Sequence, residues 1–340
     1  SLGFAALFSL ASLFAGRVID SVDARSTLVA STLAWSAAMA AQGMASSFSD
    51  ILGSRLALGF SQACCNPAAY RTLAAVYPPQ QRATVFGIYS SGVYLGGGLA
   101  ALSVVLDATL GWRGLSLTTA AVGACTALGS LALLPPVPPE GKALKAGGDP
   151  TASKPGADDA TAAAGGLIDD VAELLSIKVV RWILIAAAFR FMAGFLIGIW
   201  VVPFYRGAFP AEIGVRFALL KAAVNGIAGS ASAAGGGYLT DRLSKAEPRA
   251  QLLLPAAGSL LAIPLWLATL SAGSLGLSLG ALFCEYLVAE CWFGPTVAAL
   301  IEGSPPSSRG LAQGLFNTLT LLGNLAPAAL GVLLSSSDTS

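Results

Sequence analysis

The chain has 340 residues, of which 55% are hydrophobic and 11% are charged, and its formal net charge is +1. Soluble domains carry about 25% charged residues, so this composition excludes an ordinary water-soluble protein, and the near-neutral charge excludes the basic surface that nucleic acid requires. The chain has no histidine, and its five cysteines all lie in apolar runs. We therefore expect neither a catalytic metal centre nor any cofactor.

Apolar runs recur along almost the whole chain, and many reach the roughly 20 residues that cross a hydrocarbon core. Because a lipid-exposed backbone must satisfy its own hydrogen bonds, and because the runs lack barrel-type alternation, we predict helices. The first run is too short to cross alone, so we expect the sequence to be a fragment that enters inside a helix. The ten predicted spans are residues 1–15, 27–46, 51–77, 84–106, 115–134, 179–205, 213–239, 251–270, 274–301 and 311–334.

A segment rich in Ala, Gly and Pro separates the fifth span from the sixth. This segment, 135–176, is predicted to be a flexible linker, and its last part, from Leu167 to Leu175, predicts a short amphipathic helix at the membrane surface. Lys and Arg concentrate in the loops on the linker's side, which indicates that this side is cytoplasmic. The predicted domains are an N-terminal helical half at 1–134, the linker, and a C-terminal helical half at 177–340.

One landmark recurs at the end of two spans. Gly16 and Asp20 enclose three residues after the first span. Gly237 and Asp241 do the same after the seventh, and Arg242 follows. The glycine lets two helices approach closely, and the aspartate can cap the positive N-terminus of a neighbouring helix. We interpret the two copies as a polar, breakable gate, and the alternative is that each copy is only a helix stop.

A second landmark strengthens the repeat. A Pro-Pro-x-x-Arg segment ends at Arg82 and recurs 227 residues later, where it ends at Arg309, and we assign both arginines to the gate. Upstream, Pro67 recurs as Pro295 at a displacement of 228. Landmarks in the same order on the same side of the membrane predict two pseudo-symmetric halves in parallel orientation, related by an axis along the membrane normal.

With these motifs the chain resembles the major facilitator superfamily, whose loops after the second and eighth helices carry a Gly-x-x-x-Asp signature. More narrowly, the runs 55–89 and 292–309 resemble spinster-type members, which are linked with lipid and lysolipid export. The resemblance implies an all-α integral membrane bundle in which the ten spans are family helices two to eleven. The first and last helices, and a coupling carboxylate on the first, would be absent from this sequence. Gln62 stands where spinster-type members carry a glutamate on the fourth helix, which leaves uniport or another coupling acid open.

Polar side chains inside the spans mark candidate binding positions, because each charged group there costs roughly 2.5–3.5 kcal/mol on insertion scales and so tends to face a cavity or a partner. Arg55, Gln62 and Asn66 share one face of the third span at i, i+7 and i+11. We interpret this face as a substrate wall with Arg55 as anion anchor, and the alternative is that Arg55 only holds neighbouring carbonyls. The remaining predicted substrate-binding residues are Arg190, Lys221, Asn225, Glu285, Glu290 and Asn317.

The spacing of these residues suggests their roles. Glu285 and Glu290 are five residues apart, or about 140° around a helix, so we expect them to face different sides. One is expected to pair with Lys221 or Arg190, and the other is a candidate proton-binding carboxylate. Asn317 lies in a neutral polar stripe of the last span, which either joins helices or lines a hydrated cavity.

These patterns predict a non-enzymatic, multi-pass membrane transporter that works by alternating access about a site near the bilayer midplane. The absence of a phosphate-binding Gly-x-x-x-x-Gly-Lys-Ser/Thr loop argues against direct ATP drive. We expect a small-molecule or lipid substrate, such as a lysolipid or another anionic amphiphile, and consider protons as a coupling ion. The expected form is a monomer in contact with membrane lipids. The alternative is a transporter-like receptor or scaffold that binds solute without flux.

Overall fold

A computed structural model describes residues 2–138 and 160–337, and all regular elements within these ranges are helical. The predicted all-α membrane class is confirmed. Residues 139–159, which hold most of the predicted flexible linker, lie outside the described residues. The α-helices are α1 Leu2–Ser21, α2 Ala24–Gly43, α3 Phe48–Gln62, α4 Cys65–Val76, α5 Arg82–Leu133, α6 Ala160–Ser176, α7 Lys178–Ala208, α8 Val215–Ala223, α9 Ser230–Leu243, α10 Ala250–Ser271, α11 Leu275–Ala289, α12 Phe293–Gly303 and α13 Arg309–Ser337.

Six helical stretches of the described chain are long and apolar enough to cross a membrane. They are Thr109–Leu133, Lys178–Ala208, Val215–Leu243, Ala250–Ser271, Leu275–Gly303 and Pro306–Leu334. The remaining predicted spans are also helical and lie in α1, in α2, in α3 with α4, and in the first part of α5. The two predicted spans within α5 meet at Gly111, whose φ of 64° is the left-handed conformation that glycine adopts at little cost.

Two predicted spans are interrupted at equivalent places. The third is divided between Gln62, where α3 ends, and Cys65, where α4 begins. The ninth is divided by a 3₁₀ turn, Glu290–Trp292, between α11 and α12. In both cases a proline, Pro67 or Pro295, is the third residue of the new helix. Because proline has no N–H to continue the hydrogen bonding of a helix, it is tolerated in the first turn and disrupts the turn before it.

The helix at the end of the linker is longer than predicted. It runs from Ala160 to Ser176 instead of beginning at Leu167. Leu167 and Leu174 are buried, while Ile168 is exposed. Asp170 on this helix forms an ion pair with Arg17 of α1, with 3.1 Å between Oδ2 and Nε. The helix is therefore attached to the segment that carries the first Gly-x-x-x-Asp landmark.

The contacts divide the chain into two compact units. The first comprises the described residues of Ser1–Thr72, Ser116–Gly194 and Leu300–Ser340, and the second comprises Leu73–Leu115 and Phe195–Ala299. In the first unit α1 packs along α13 and α2 packs on α3. In the second, α10 packs on α11. Each unit draws on both halves of the sequence, so the predicted division at the linker stays a prediction.

Candidate functional site

In the first unit, the landmark aspartate of α1 caps the N-terminus of α13. Asp20 Oδ1 accepts the backbone N–H of Gly310 at 2.9 Å, and Oδ2 accepts that of Leu311 at 3.2 Å. The first N–H groups of a helix have no partner within the helix, and the aligned peptide dipoles place partial positive charge there. The carboxylate therefore satisfies two donors and neutralises that end of α13.

Glycines bring these two helices close enough for the cap to form. A Cβ atom on Gly16 would clash with the carbonyl oxygen of Gly310, and one on Gly314 would clash with that of Ser12. A Cβ atom on Gly310 would clash with Ile19 Cγ2. Membrane helices approach to backbone contact where their facing residues are small. The crossing of α1 with α13 thus depends on glycine on both helices.

The second unit contains the same kind of crossing, between α9 and the start of α5. Asp241 Oδ1 accepts the N–H of Ala83 at 3.3 Å, and Oδ2 accepts that of Thr84 at 2.7 Å. The Thr84 hydroxyl donates a third bond to the same carboxylate. Gly237 lies against α5, since a Cβ atom there would clash with the carbonyl oxygen of Ala83. A carboxylate again caps a helix across a glycine contact.

Each copy of the Gly-x-x-x-Asp landmark pairs with the Pro-Pro-x-x-Arg copy from the other half of the sequence. Asp20 belongs to the first Gly-x-x-x-Asp copy but caps the helix that follows the second Pro-Pro-x-x-Arg segment. Asp241 belongs to the second copy and caps the helix that follows the first segment. Each cap therefore joins one half of the sequence to the other, inside a single compact unit.

Two of the predicted gate arginines donate to backbone carbonyls close to them in sequence. Arg82 Nη2 donates to the carbonyl of Ala74 at 2.9 Å, and Arg309 Nε donates to that of Ile301 at 3.2 Å. In each case the acceptor lies eight residues earlier, near the end of α4 or α12, where helix carbonyls lack partners. These arginines fix the Pro-Pro corner before each capped helix. Arg242 is exposed, and its guanidinium lies 5.6 Å from the ring centroid of Tyr238.

In the second unit, buried charged and polar side chains meet around Lys221. Lys221 is 7% exposed, its Nζ donates to Asn225 Oδ1 at 2.6 Å, and it lies 5.1 Å from the ring centroid of Tyr286. The four-residue spacing predicted that Lys221 and Asn225 share a face, and the hydrogen bond between them agrees with that expectation.

Both glutamates belong to the same site. Glu285 is 3% exposed and Glu290 is partly buried. Glu285 is next in sequence to Tyr286, whose ring centroid lies 5.1 Å from Lys221 Nζ, and Tyr94 Oη donates to Glu290 Oε2 at 2.6 Å. α11 ends at Ala289 and Glu290 opens a 3₁₀ turn, so the 140° spacing of an unbroken helix does not apply to this pair, and the expectation that the glutamates face different sides stays a prediction. We refer to Tyr94, Lys221, Asn225, Glu285 and Glu290 as the Lys221 cluster.

A π-helix runs through the Lys221 cluster. It spans Val224–Gly229, between α8 and α9, and therefore contains Asn225. Glycines place it against α5: a Cβ atom on Gly98 would lie 3.2 Å from the Cα of Gly226, and one on Gly229 would lie 2.6 Å from Tyr94 Cδ1. π-Helical turns occur frequently at functional sites. The backbone irregularity coincides here with the buried charges, which marks this place as a candidate site.

The predicted substrate wall of the first unit is not one continuous helix face. Gln62 ends α3, while Asn66 lies in α4, so the spacing from Arg55 to Asn66 was wrongly interpreted as a single stripe. Arg55 is exposed on α3, and Arg190 is partly buried in α7. Asn317 is 3% exposed in α13 and accepts a bond from Gln313 Nε2 at 3.3 Å.

Sequence analysis missed two residues that the structure singles out. Arg71 is 5% exposed and donates to the carbonyls of Ile19, of Val22 at 2.9 Å and of Pro138 at 2.7 Å. These bonds fix the end of α1, where Asp20 caps α13. Its charge within an apolar span was an available signal. Tyr94 offered none, because its role depends on where α5 meets the 3₁₀ turn.

Comparisons with known proteins show which proteins this chain resembles. The D-galactonate transporter of Escherichia coli O6:H1 is 29% identical over 121 residues, which are 35% of this chain and 28% of that transporter. The match therefore spans less than a third of that relative's length. A solved bacterial homologue of the human lysosomal transporter Spinster has a TM-score of 0.60 at 22% identity, covering 96% of this chain and 71% of its own.

Two further solved structures resemble the chain. The human organic anion transporter MFSD10 has a TM-score of 0.72 at 17% identity, covering 96% of this chain and 75% of its own. FucP in the outward conformation has a TM-score of 0.70 at 14% identity, covering 99% of this chain and 83% of its own. At these identities the likenesses establish the fold alone. The family model described as Major Facilitator Superfamily matches residues 1–327, so the chain belongs to the Major Facilitator Superfamily.

Proposed function

We propose that the protein is a secondary transporter that works by alternating access, and that the two capped helix crossings form its cytoplasmic gate. The observation that carries this proposal is the crosswise pairing of the landmarks. Asp20 and Asp241 each join one half of the sequence to the other through two backbone N–H groups. Such bonds are strong enough to hold a state and weak enough to break, since hydrogen bonds to charged groups contribute about 1.5–3 kcal/mol each.

For the substrate we propose an organic anion, either a hydrophilic organic acid or an anionic amphiphile such as a lysolipid. A relative is named for D-galactonate and a structural neighbour for organic anions, while the spinster-like motifs favour a lysolipid. Arg55 and Arg190 supply guanidinium groups within predicted spans of the first unit. Guanidinium binds carboxylate and phosphate through two parallel hydrogen bonds, so both substrate types present a head group that these arginines recognise.

The test is uptake by the full-length protein in proteoliposomes, with D-galactonate and lysophosphatidylglycerol as separate probes. Arg55→Ala is expected to abolish uptake of whichever anion is carried, while expression stays unchanged. Arg113→Ala is the matched control, because Arg113 is also exposed and its guanidinium lies 4.3 Å from the ring of Trp112, next to it in sequence. Unchanged uptake in Arg55→Ala would reject Arg55 as the anion anchor.

The competing function is a transporter-like receptor or scaffold that binds solute without moving it. Binding assays on the same preparation separate the two. Saturable binding of either probe to the purified protein, with no uptake into sealed vesicles under any gradient, would support the receptor and overturn the carrier.

A further inference from the structure

The first residues of the linker are bound to the corner between α1 and α2. Val137 donates its backbone N–H to Asp23 Oδ1 at 2.7 Å, and its carbonyl accepts the N–H of Ala24 at 3.0 Å. Its side chain is 7% exposed and belongs to the same hydrophobic cluster as Ile19. The segment 134–138 is therefore held against this corner by both its backbone and a buried side chain.

The composition of this segment suits docking in an extended conformation. Proline fixes φ and has no N–H, so a proline-rich segment is pre-organised and loses little conformational freedom when it docks. Between Pro135 and Pro139, Val137 is the only residue with a backbone N–H. This N–H is the one that Asp23 accepts, so the structure uses the single backbone donor of the proline run.

Arg71 joins the same segment to the end of α1. Its Nη2 donates to the carbonyl of Pro138 at 2.7 Å, while its Nη1 donates to the carbonyls of Ile19 and of Val22, the latter at 2.9 Å. The last carbonyls of a helix lack partners within the helix, and a positive charge is favoured at this end. Because the guanidinium is a rigid fork, this buried side chain holds the end of α1 and the linker together.

The far end of the linker meets the same stretch of chain. On α6, Asp170 pairs with Arg17, with 3.1 Å between Oδ2 and Nε. One turn earlier, a Cβ atom on Gly166 would lie 2.9 Å from Arg17 Nη2, so α6 passes close to this guanidinium. Both described ends of the linker, 134–138 and α6, are therefore attached within residues 17–24.

The attachments lie on either side of the aspartate that caps α13. Asp20 is between Arg17, which pairs with α6, and Asp23, which binds the segment 134–138. The cap requires both carboxylate oxygens of Asp20 to stay within hydrogen-bond distance of N–H groups on another helix. A small shift of the end of α1 would break these bonds, so whatever fixes that end also fixes the cap.

We propose that the segment 134–138 and α6 form a two-point brace that positions Asp20 against α13, and that this brace sets how readily the first crossing opens. The inference rests on the proposed function, in which the capped crossings are the gate. The chain has a single such linker, and the residue 228 positions after Arg71 is Ala299, whose methyl group donates no hydrogen bond. Loss of the brace should therefore loosen the first crossing and leave the second closed.

The test uses one reporter cysteine in each crossing, in the full-length protein without its natural cysteines. Ser12→Cys and Ala233→Cys are matched reporters, because these positions are 0% and 1% exposed. Their backbone carbonyls face Gly314 in the first crossing and Gly87 in the second. The rate of labelling by a membrane-impermeant maleimide in inside-out membrane vesicles measures how far each crossing is open.

Two variants remove the first point of the brace. Val137→Pro removes the N–H that Asp23 accepts, and Arg71→Lys keeps the positive charge but not the two-nitrogen fork. Each should raise the labelling rate of the first reporter about tenfold, as expected for the loss of one hydrogen bond to a charged group, and leave that of the second unchanged. Val137→Ala is the matched control, because it keeps the N–H and should have a smaller effect.

Asp170→Asn tests the second point of the brace and leaves the first intact. The side chains of Arg17 and Asp170 are 38% and 41% exposed, so their ion pair is weak and screened by salt. Labelling of the first reporter should rise about twofold to threefold in Asp170→Asn. High salt should produce the same rise in the wild type and no further rise in the variant, which a change in packing alone would not do.

Amide hydrogen exchange at Val137 reports the first point of the brace directly. Within 135–139 its N–H is the only backbone amide hydrogen, so its exchange can be measured without overlap. Exchange should be slow in the wild type and fast in Asp23→Ala. Fast exchange in the wild type would overturn the attachment of this segment in solution.

The reporters keep this inference separate from the proposed function. If the brace variants leave labelling of the first reporter unchanged, or raise both reporters equally, the brace is overturned, while increased labelling in Asp20→Asn would still support the gate. If the brace variants open the first crossing but solute exchange in proteoliposomes keeps its wild-type rate, the gate proposal fails and the brace stands.

Discussion

The crossing of α1 with α13 in the first unit and that of α9 with α5 in the second share one plan but differ in how they are secured. Both use an aspartate cap over a glycine contact. In the first, Arg71 also fixes the end of α1 through three carbonyls. The residue 228 positions later is Ala299, which cannot do so. In the second, Thr84 instead adds a third bond to the cap.

The helix faces differ as well. The first capped residue is Gly310 in one crossing and Ala83 in the other. Where α13 meets α1, a Cβ atom on Gly310 would clash with Ile19 and with the backbone of Gly16. Where α5 meets α9, the methyl group of Ala83 is accommodated and fully buried. The same bonding pattern therefore tolerates one more carbon atom in the second crossing, so the first is sterically the tighter of the two.

The largest expected effect comes from exchanging these two residues. Gly310→Ala should strongly reduce transport and lower Tm, because overpacking against backbone atoms costs about 1–3 kcal/mol. Ala83→Gly removes only a methyl group and should retain most activity. The rate of solute exchange in proteoliposomes and the thermal unfolding of the full-length protein measure the effects of both substitutions. Equal tolerance of the two substitutions would show that the crossings do not differ in tightness.

A smaller effect is expected when the caps lose their charge. Asp20→Asn and Asp241→Asn keep an acceptor oxygen but remove the interaction with the helix dipole, which contributes about 0.3–1 kcal/mol in exposed settings and up to ~2 kcal/mol when partly buried. Asp241→Asn should cost more, because Asp241 also accepts the Thr84 hydroxyl. Cytoplasmic accessibility of a reporter cysteine, in a background without the natural cysteines, should rise in both variants. Unchanged accessibility would show that the two caps are not part of the gate.

The smallest effect concerns the loop beside the first cap. Asp23 caps α2 by accepting the N–H of Ser26 at 2.8 Å and also accepts that of Val137 at 2.7 Å. Burial raises the pKa of this carboxyl, but these hydrogen bonds and the charge of Arg25 outweigh it and hold the pKa below its ordinary value. A lowered folded pKa contributes stability above the unfolded pKa, and this stability is lost as the pH falls through the folded value.

Asp23→Asn keeps a capping oxygen but removes the negative charge, so it should lower Tm at neutral pH by an amount that corresponds to about 0.3–1 kcal/mol. The difference in Tm from the wild type should shrink at acidic pH, where the wild-type carboxyl is protonated and so carries no charge either. A Tm difference that is constant from neutral to acidic pH would show that the charge of Asp23 contributes nothing.

Much of the fold was predictable because membrane helices are recognisable in a sequence by their length and hydropathy. The superfamily predicted from the landmarks is confirmed, and with it a non-enzymatic, multi-pass membrane protein. The candidate site was predictable only in part. The spacing of Lys221 and Asn225 identified a true neighbour pair, because only one helical turn separates them. Helical periodicity does not extend to Glu290 and Asn66, because it assumes an unbroken helix, although Pro67 and Pro295 were visible signals of the breaks.

The sequence by itself determined the helices, the repeated landmarks and the kind of contact each could make, since glycine, aspartate and proline act on the backbone within a turn or two. Only the tertiary structure decided the partners. Asp20 and the N-terminus of α13 are separated by 290 residues, and Tyr94 and Glu290 by 196. Which helix end a carboxylate caps, and which hydroxyl reaches a buried glutamate, depend on how whole helices pack, and no local pattern of residues encodes that choice.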